Sequence, residues 1–433
     1  MLLYFTLGFL LLLYALKKFK IVKILYFREL IVPAVCILFV LLLMVFSKTA
    51  VTAAVRGLNL WLDVVLPSLL PFLVVSEILG NTGFINALGI LLEPVMRPLF
   101  NVPGHSSFTF VMGITSGYPV GARITASMRN KGLLTRNEAD RLIAFTNNSG
   151  PLFIIGAVAT SMLKAPRLGI LLLVSHIASC CTVGFLFKYL FSHRDRSLEH
   201  RYKKHGEKTY DIVKRFKREI RKNRTSSQDI GTVIGEAISN SVNTLISIGG
   251  FIILFSVIIN LLYETGVIKA LAQILSTLAS PFLKIDTAVL EALLGGMIEI
   301  TTGVSLVSNL ASISLIQKAI LISFIIGWAG VCIHFQVLSI VSKTDISLKY
   351  YFAGKFLQAI ISCIFTWILF LVLRPVPSGS ITVFAHEGTE LKLWSSYFLA
   401  ALKYLVLSMG LLSAGFLIAP VKTRLAKRRR RLI

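Results

Sequence analysis

The chain has 433 residues, of which 55% are hydrophobic and 15% charged, against about 25% charged in ordinary soluble domains. A formal net charge of +25 would suit a nucleic-acid binder, but the basic residues cluster in short segments between apolar runs, the pattern of cytoplasmic loops under the positive-inside rule. The sequence contains no GxxxxGK[ST] phosphate loop and no HExxH helix, which excludes the usual signatures of nucleotide hydrolysis and zinc-dependent hydrolysis.

Many apolar runs approach the length of about 20 residues that crosses a bilayer, so the expected fold is an all-α polytopic membrane protein. In chain order, spans are predicted at 2–16, 30–46, 64–80, 137–162, 167–191, 238–262, 316–342, 350–373 and 396–418. The run 2–16 lacks a basic leader and a small-residue cleavage site, and is read as a retained span. Segments 84–100 and 265–283 are amphipathic and suit helices at the membrane interface. Two apolar pieces, 106–128 and 288–312, are interrupted midway by Gly, Thr and polar residues.

Charge sets the sides. The segment 17–29 carries five basic residues and one acidic, 129–141 four and two, 193–229 thirteen and six, and the tail 422–433 seven and none. All four are expected in the cytoplasm. About nine transmembrane helices with an outside N-terminus satisfy this count, provided that 106–128 and 288–312 are two re-entrant hairpins, with tips near SGYP and EITTG. The insertion 193–229 reads either as a basic helix on anionic lipid or as a solvated linker. The five cysteines fall in apolar runs without metal spacing and read as packing residues.

The chain repeats itself. Shifted by 183 residues, NTGFINALGILLEPVMRPLF (81–100) falls on ETGVIKALAQILSTLASPFL (264–283), and Gly113 on Gly296. Three crossings per repeat force the second copy upside-down, giving an inverted repeat of the secondary-transporter type. The expected organisation is two N-terminal helices (1–47), repeat 1 (48–192), a basic linker (193–229), repeat 2 (230–373), and a last helix with a polybasic tail (374–433).

The breaks carry the candidate site. Pro119 follows Ser116-Gly117-Tyr118, and Pro151 follows Asn147-Asn148-Ser149-Gly150. Each proline can start a half-helix whose free N–H groups favour an anion. Arg123, about one turn on, either faces the pocket with a fork suited to carboxylate or snorkels to the membrane surface. The second half offers Glu299, Thr301 and Thr302 at its hairpin tip and Trp328, His334 and Gln336 at its broken span. Glu299 could pair with Arg123, bind substrate, carry a coupling proton or latch the hairpin; His334 could titrate or simply pack. Glu77 sits at a span end and reads as structural.

The stretch GITSGYPVGARITASMRNKGLLTRNEADRLIAFTNNSGPLFIIGAVATSML (113–163) resembles the sporulation integral membrane proteins of the YlbJ/SpoVV type. SGYPVGA and TNNSGP are its most specific parts. That family contains a gate domain similar to that of concentrative nucleoside transporters and the ferrous-iron transporter membrane region. The resemblance implies a role in endospore formation and spore cortex development, in the mother-cell-derived outer forespore membrane. It also implies transport of dipicolinic acid, a small aromatic dicarboxylate. Glu299 falls where nucleoside transporters place a ribose-binding glutamate, but Thr115-Ser116-Gly117-Tyr118 replaces their base-binding group. The expected partners are a small anionic substrate and the lipid bilayer, not nucleic acid, with a homo-oligomer and other sporulation membrane proteins compatible. No bound cofactor is expected beyond coupling to H+ or Na+. An uncoupled channel, a nucleoside-like transporter and a non-transporting envelope scaffold are the alternatives, and enzyme activity is not expected.

Overall fold

The computed structural model describes residues 24–81, 84–190, 230–281 and 285–373. The expected spans 2–16 and 396–418, the basic segment 193–229 and the polybasic tail lie outside the described residues.

Within them the chain is helical. Helix α1 (Ile24–Val45) leads into α2 (Ser47–Leu60), which continues through a π-helical turn π1 (Trp61–Val65) into α3 (Leu66–Asn81). Then come α4 (Phe84–Phe100), α5 (Ser106–Ser116), α6 (Val120–Asn130), α7 (Arg136–Thr146), a π-helical segment π2 (Leu152–Met162) and α8 (Arg167–Leu190). The second half holds α9 (Ile230–Glu264), α10 (Val267–Ala279), α11 (Thr287–Ile298) and α12 (Ile300–Asn309). It ends with α13 (Leu315–Trp328), α14 (Gly330–Val341) and α15 (Leu348–Leu373).

The span expected at 64–80 starts much earlier, at Ser47. Residues 47–63 are too polar to read as a span, yet they are helical because their small residues face a partner. Ala50, Ala53 and Gly57 are buried, and a Cβ on Gly57 would lie 3.0 Å from Ile253 Cα of α9. Small residues let two helix backbones approach in this way. Trp61 covers Gly249 and donates its indole N–H to Leu245 O at 2.9 Å, while Ser256 Oγ donates to Ala53 O at 2.7 Å. Ascending positions 53, 57 and 61 thus meet descending positions 256, 253 and 249, so α2 and α9 are antiparallel. Shifting 47–81 by 183 residues gives 230–264, the bounds of α9, and carries the start of α4 to the start of α10. Equivalent helices packed antiparallel are what an inverted repeat requires.

Four helical stretches among the described residues are long and apolar enough to cross a membrane: Arg167–Leu190, Gly231–Glu264, Leu315–Val341 and Leu348–Leu373. A fifth candidate is the pair Leu30–Val45 and Ser47–Asp63, bent by 101°. The span expected at 137–162 is interrupted between α7 and π2, so neither piece passes by length alone.

Both interrupted segments fold as helical hairpins. Gly113 and Gly121 flank the first tip symmetrically and touch: a Cβ on Gly113 would lie 3.4 Å from Gly121 Cα. In the second, Gly303 sits directly on Gly296. Ion pairs tie the outer ends of repeat 1 together. Arg97 bonds Glu93 at 2.8 Å and Glu138 at 2.7 Å, and Glu138 closes a capping box with Thr135 at the start of α7. Arg129, at the root of the first hairpin, holds Asp345 through two 2.8 Å bonds. The Arg129 guanidinium keeps that carboxyl below the ordinary aspartate range.

Candidate functional site: two hairpin tips and two helix breaks

The first tip is Gly117-Tyr118-Pro119. Gly117 has φ +94°, and the Tyr118–Pro119 peptide is cis. The tip rests on the first break: a Cβ on Gly117 would fall 2.9 Å from Gly150 N. Only glycine fits both the backbone angle and the approach. The break itself, 147–150, is non-helical and buried, with Asn147 and Asn148 fully inaccessible. Unwound backbone at membrane depth needs protein partners. Ser149 N donates to His176 Nε2 at 3.1 Å, and Asn148 Nδ2 donates to Phe145 O at 2.7 Å. Asn148 Oδ1 accepts from Gln358 Nε2 at 2.9 Å.

The second tip repeats the design. Glu299 leaves the helical region (φ −140°, ψ 121°) and caps α12. Its oxygens accept from Thr301 N at 2.9 Å, Thr302 N at 2.7 Å and Thr302 Oγ1 at 2.8 Å. The second break is Ala329-Gly330, with φ +79° and +72°. A Cβ on Gly330 would lie 3.2 Å from Ile298 O, so here too a tip rests on a break. Trp328 donates to Met297 O at 3.1 Å. Tyr118 of the first hairpin donates to Ile326 O of α13 at 2.8 Å, joining the two halves.

Both tips, the first break and the start of α14, just past the second break, line a partly open cavity of about 150 Å³. Its polar wall is Thr115, Ser116, Gly117, Tyr118, Ser149, Gly150, Glu299, Thr301, Cys332 and Gln336; Leu60, Val65, Leu69, Phe72, Ile248 and Ile252 form much of the apolar side. A cavity of that size elsewhere admits a benzene-sized ring.

Of the candidates offered by the sequence, Ser116, Gly117, Tyr118, Ser149, Glu299, Thr301 and Gln336 line the cavity. Thr302 stands beside it, bonded to Glu299. Asn147, Asn148 and His334 lie in a buried network rather than in the lining. Asn147 Nδ2 donates to Tyr351 OH at 3.4 Å, and His334 Nδ1 lies 3.1 Å from the same hydroxyl. Tyr351 thus connects the first break to the second.

Arg123 is elsewhere. Its guanidinium bonds Glu77 at 2.7 Å, the Thr244 hydroxyl, and Asn240 O at 3.3 Å. Of the alternatives for Glu299, pairing with Arg123 does not occur: α6 directs residue 123 toward α3 and α9, where Glu77 supplies the acid. Glu77 is therefore a partner of Arg123 across helices.

The residues that sequence reasoning passed over sit on α15. Tyr351, Lys355, Gln358, Ser362 and Thr366 are each at most 1% exposed. They recur at helical spacing and form one polar stripe facing inward, while Phe352, Phe356, Ile364 and Trp367 point outward. Lys355 Nζ donates to Gln358 Oε1 at 2.8 Å and lies 5.2 Å from the Tyr118 ring centroid. The available signal was the ionisable residue itself, a lysine inside an apolar run, followed at i+3 by an amide.

Comparison with known proteins agrees with this geometry. A family model described as "Gate: Nucleoside recognition" matches residues 62–187 and 245–346, the portions that hold both hairpins and both breaks. The sporulation integral membrane protein YlbJ of Bacillus subtilis (strain 168) is 40% identical over 320 residues, covering 73% of this chain and 76% of that protein. The chain belongs to this family of sporulation integral membrane proteins. No solved structure matches it. Membership makes it an integral membrane protein with a gate domain, which accounts for the outward-facing apolar side of α15 and the inward-facing polar one.

Proposed function

We propose that the protein carries a small organic anion across the membrane, that this anion is dipicolinate, and that the protein serves endospore formation and spore cortex development from the outer forespore membrane. In this reading the two hairpins are re-entrant, each entering and leaving on one side. The observation that carries it is the convergence of both hairpin tips, the first break and the helix that follows the second break on a cavity. Non-helical backbone inside a membrane protein is tolerated where it is packed by protein or lines a cavity, and midplane sites between inverted repeats are how secondary transporters bind solutes.

Size and electrostatics favour an aromatic anion. The volume suits one ring with small substituents. The half-helices α6 and π2 begin beside Tyr118 and Gly150, so their N-terminal partial charges act on the cavity. The negative charge of Glu299 is taken up by three donors at the start of α12. A proton or sodium gradient would supply the coupling, and no covalent chemistry is assigned to the chain.

The test is uptake of labelled dipicolinate into proteoliposomes containing this protein alone, with and without proton and sodium gradients and with a nucleoside as competitor. Uptake above that of empty liposomes and insensitive to the nucleoside is expected. Uptake no faster than in empty liposomes would overturn the reading.

A further inference from the structure

Lys355 is a buried charge for which the described residues provide no ion pair. It is fully inaccessible, and burying an ammonium without a counter-ion costs several kcal/mol even after relaxation. The arginines at 97, 123 and 129 all pair with carboxylates. Among the described residues no carboxylate lies within ion-pair reach of Lys355. One of its three N–H groups is spent on Gln358, and the Tyr118 ring supplies a cation–π contact.

Its position relative to the cavity matters equally. Tyr118 belongs to both: the residue lines the cavity and its ring contacts the ammonium. Gln358, held by Lys355, is bonded in turn to Asn148, next to the lining residue Ser149. Lys355 is therefore one side chain away from the cavity through Tyr118, and two side chains, Gln358 and Asn148, away from the lining residue Ser149. At the first tip and the first break, Ser116 Oγ and Asn147 Oδ1 are buried without a hydrogen-bond partner. Tyr118 is anchored by a single hydroxyl bond, to Ile326 O.

We propose that Lys355 is the charge that receives the carboxylate of the transported solute, and that Tyr118 is the movable wall separating it from the cavity. When the Tyr118–Ile326 bond opens and the ring turns, the ammonium exchanges a weak ring contact for a full counter-charge. This rests on the reading that the solute is an anion, and assigns the residue that selects it. No bond is made or broken beyond hydrogen bonds.

The test uses full-length protein in detergent and measures binding of dipicolinate, benzoate and uncharged pyridine together with thermal stability. Lys355→Met should weaken dipicolinate binding at least about thirtyfold, the consequence of removing one partner of a desolvated charge pair. It should leave the melting temperature unchanged or raised, because an apolar residue of similar length removes a buried charge. Lys355→Arg should restore part of the binding. Tyr118→Phe, which frees the ring from Ile326, should speed association several-fold. A merely structural lysine gives the opposite pattern, so a Lys355→Met protein that unfolds or melts lower overturns the proposal. So does one that binds dipicolinate within about twofold of wild type. Benzoate bound by wild type in a Lys355-dependent way, with dipicolinate not bound, removes the substrate assignment and keeps this inference. Wild type that binds no carboxylate removes both.

Discussion

Replacing Gly121 by alanine places a methyl carbon 2.7 Å from the Thr146 carbonyl carbon and 3.1 Å from Asn147 Cα, and closer still to Thr146 O. Real Cβ atoms essentially never come within 3.0 Å of such atoms. Gly113 abuts the same carbonyl from the other arm of the hairpin, so the Thr146 peptide is clasped between the two arms. Both partners are backbone, and neither can step aside by changing rotamer. The first hairpin must therefore retreat from α7, taking Ser116 and Tyr118 away from the cavity. Overpacking a tight interior costs typically 1–3 kcal/mol, and backbone on both sides puts this substitution at the upper end. The expected result is a drop of roughly 2–6 °C in apparent Tm, with uptake of dipicolinate reduced by more than the loss of folded protein explains. Gly250→Ala is the control. It lies in α9 with no atom within 4 Å of its added carbon, and the helix should gain about 0.5–1 kcal/mol. If Gly121→Ala melts and transports like Gly250→Ala, the hairpin does not bear on the break and the site geometry argued above is wrong.

Arg123→Ala and Glu77→Ala should each lower thermal stability, and the double variant should be less unstable than their sum, with a coupling of about 0.5–3 kcal/mol; strict additivity in a thermal-melt cycle would dissolve the pair. Arg123→Ala should keep dipicolinate binding in detergent, since the residue lies outside the cavity; loss of binding in a protein that remains folded would return it to the site. Glu299→Ala should cost about 0.5–2 kcal/mol as a lost helix cap and impair uptake, while Glu299→Gln, which keeps one acceptor, should lose less of the stability; equal loss in both would assign the effect to charge rather than capping. The Arg129–Asp345 bridge should be insensitive to pH between 5 and 8. Arg129 depresses the Asp345 carboxyl, so its contribution is complete above the unfolded aspartate range and fades only as pH falls through a still lower value. Asp345→Asn should change stability by under about 1 kcal/mol because the pair is solvent-screened, and a large pH-dependent loss near neutrality would contradict the assignment.

Much of the architecture was legible in local patterns. An apolar run of sufficient length can only be a helix in lipid, and Gly-Tyr-Pro or Asn-Asn-Ser-Gly-Pro inside such a run can only interrupt it. The breaks at 117–119 and 147–150 and the 183-residue shift follow from those patterns. The helix over 47–63 did not, because its polar composition conceals a face of Ala and Gly whose value exists only against α9. Span count was harder to read for the same reason: π2 and α7 are each short, and length is a property of the pair.

The site divides along a similar line. Polar residues beside the breaks were visible as short-range motifs, and Ser116, Tyr118 and Ser149 among them meet at the cavity. Which buried cation is left without an acid was not visible. Arg123 and Lys355 are both charges inside apolar segments, and nothing local distinguishes them. Their difference lies in residues far away in the chain: Glu77, 46 positions earlier, neutralises Arg123, whereas Lys355 is brought by α15 against Tyr118, more than 200 positions before it, with no ion-pair partner among the described residues. The sequence by itself determined where helices break and which polar groups those breaks expose, since backbone geometry and hydrogen-bond demand are local. Only the tertiary structure decided which charge is satisfied and which is left over, since electrostatic pairing depends on distances that the chain order does not contain.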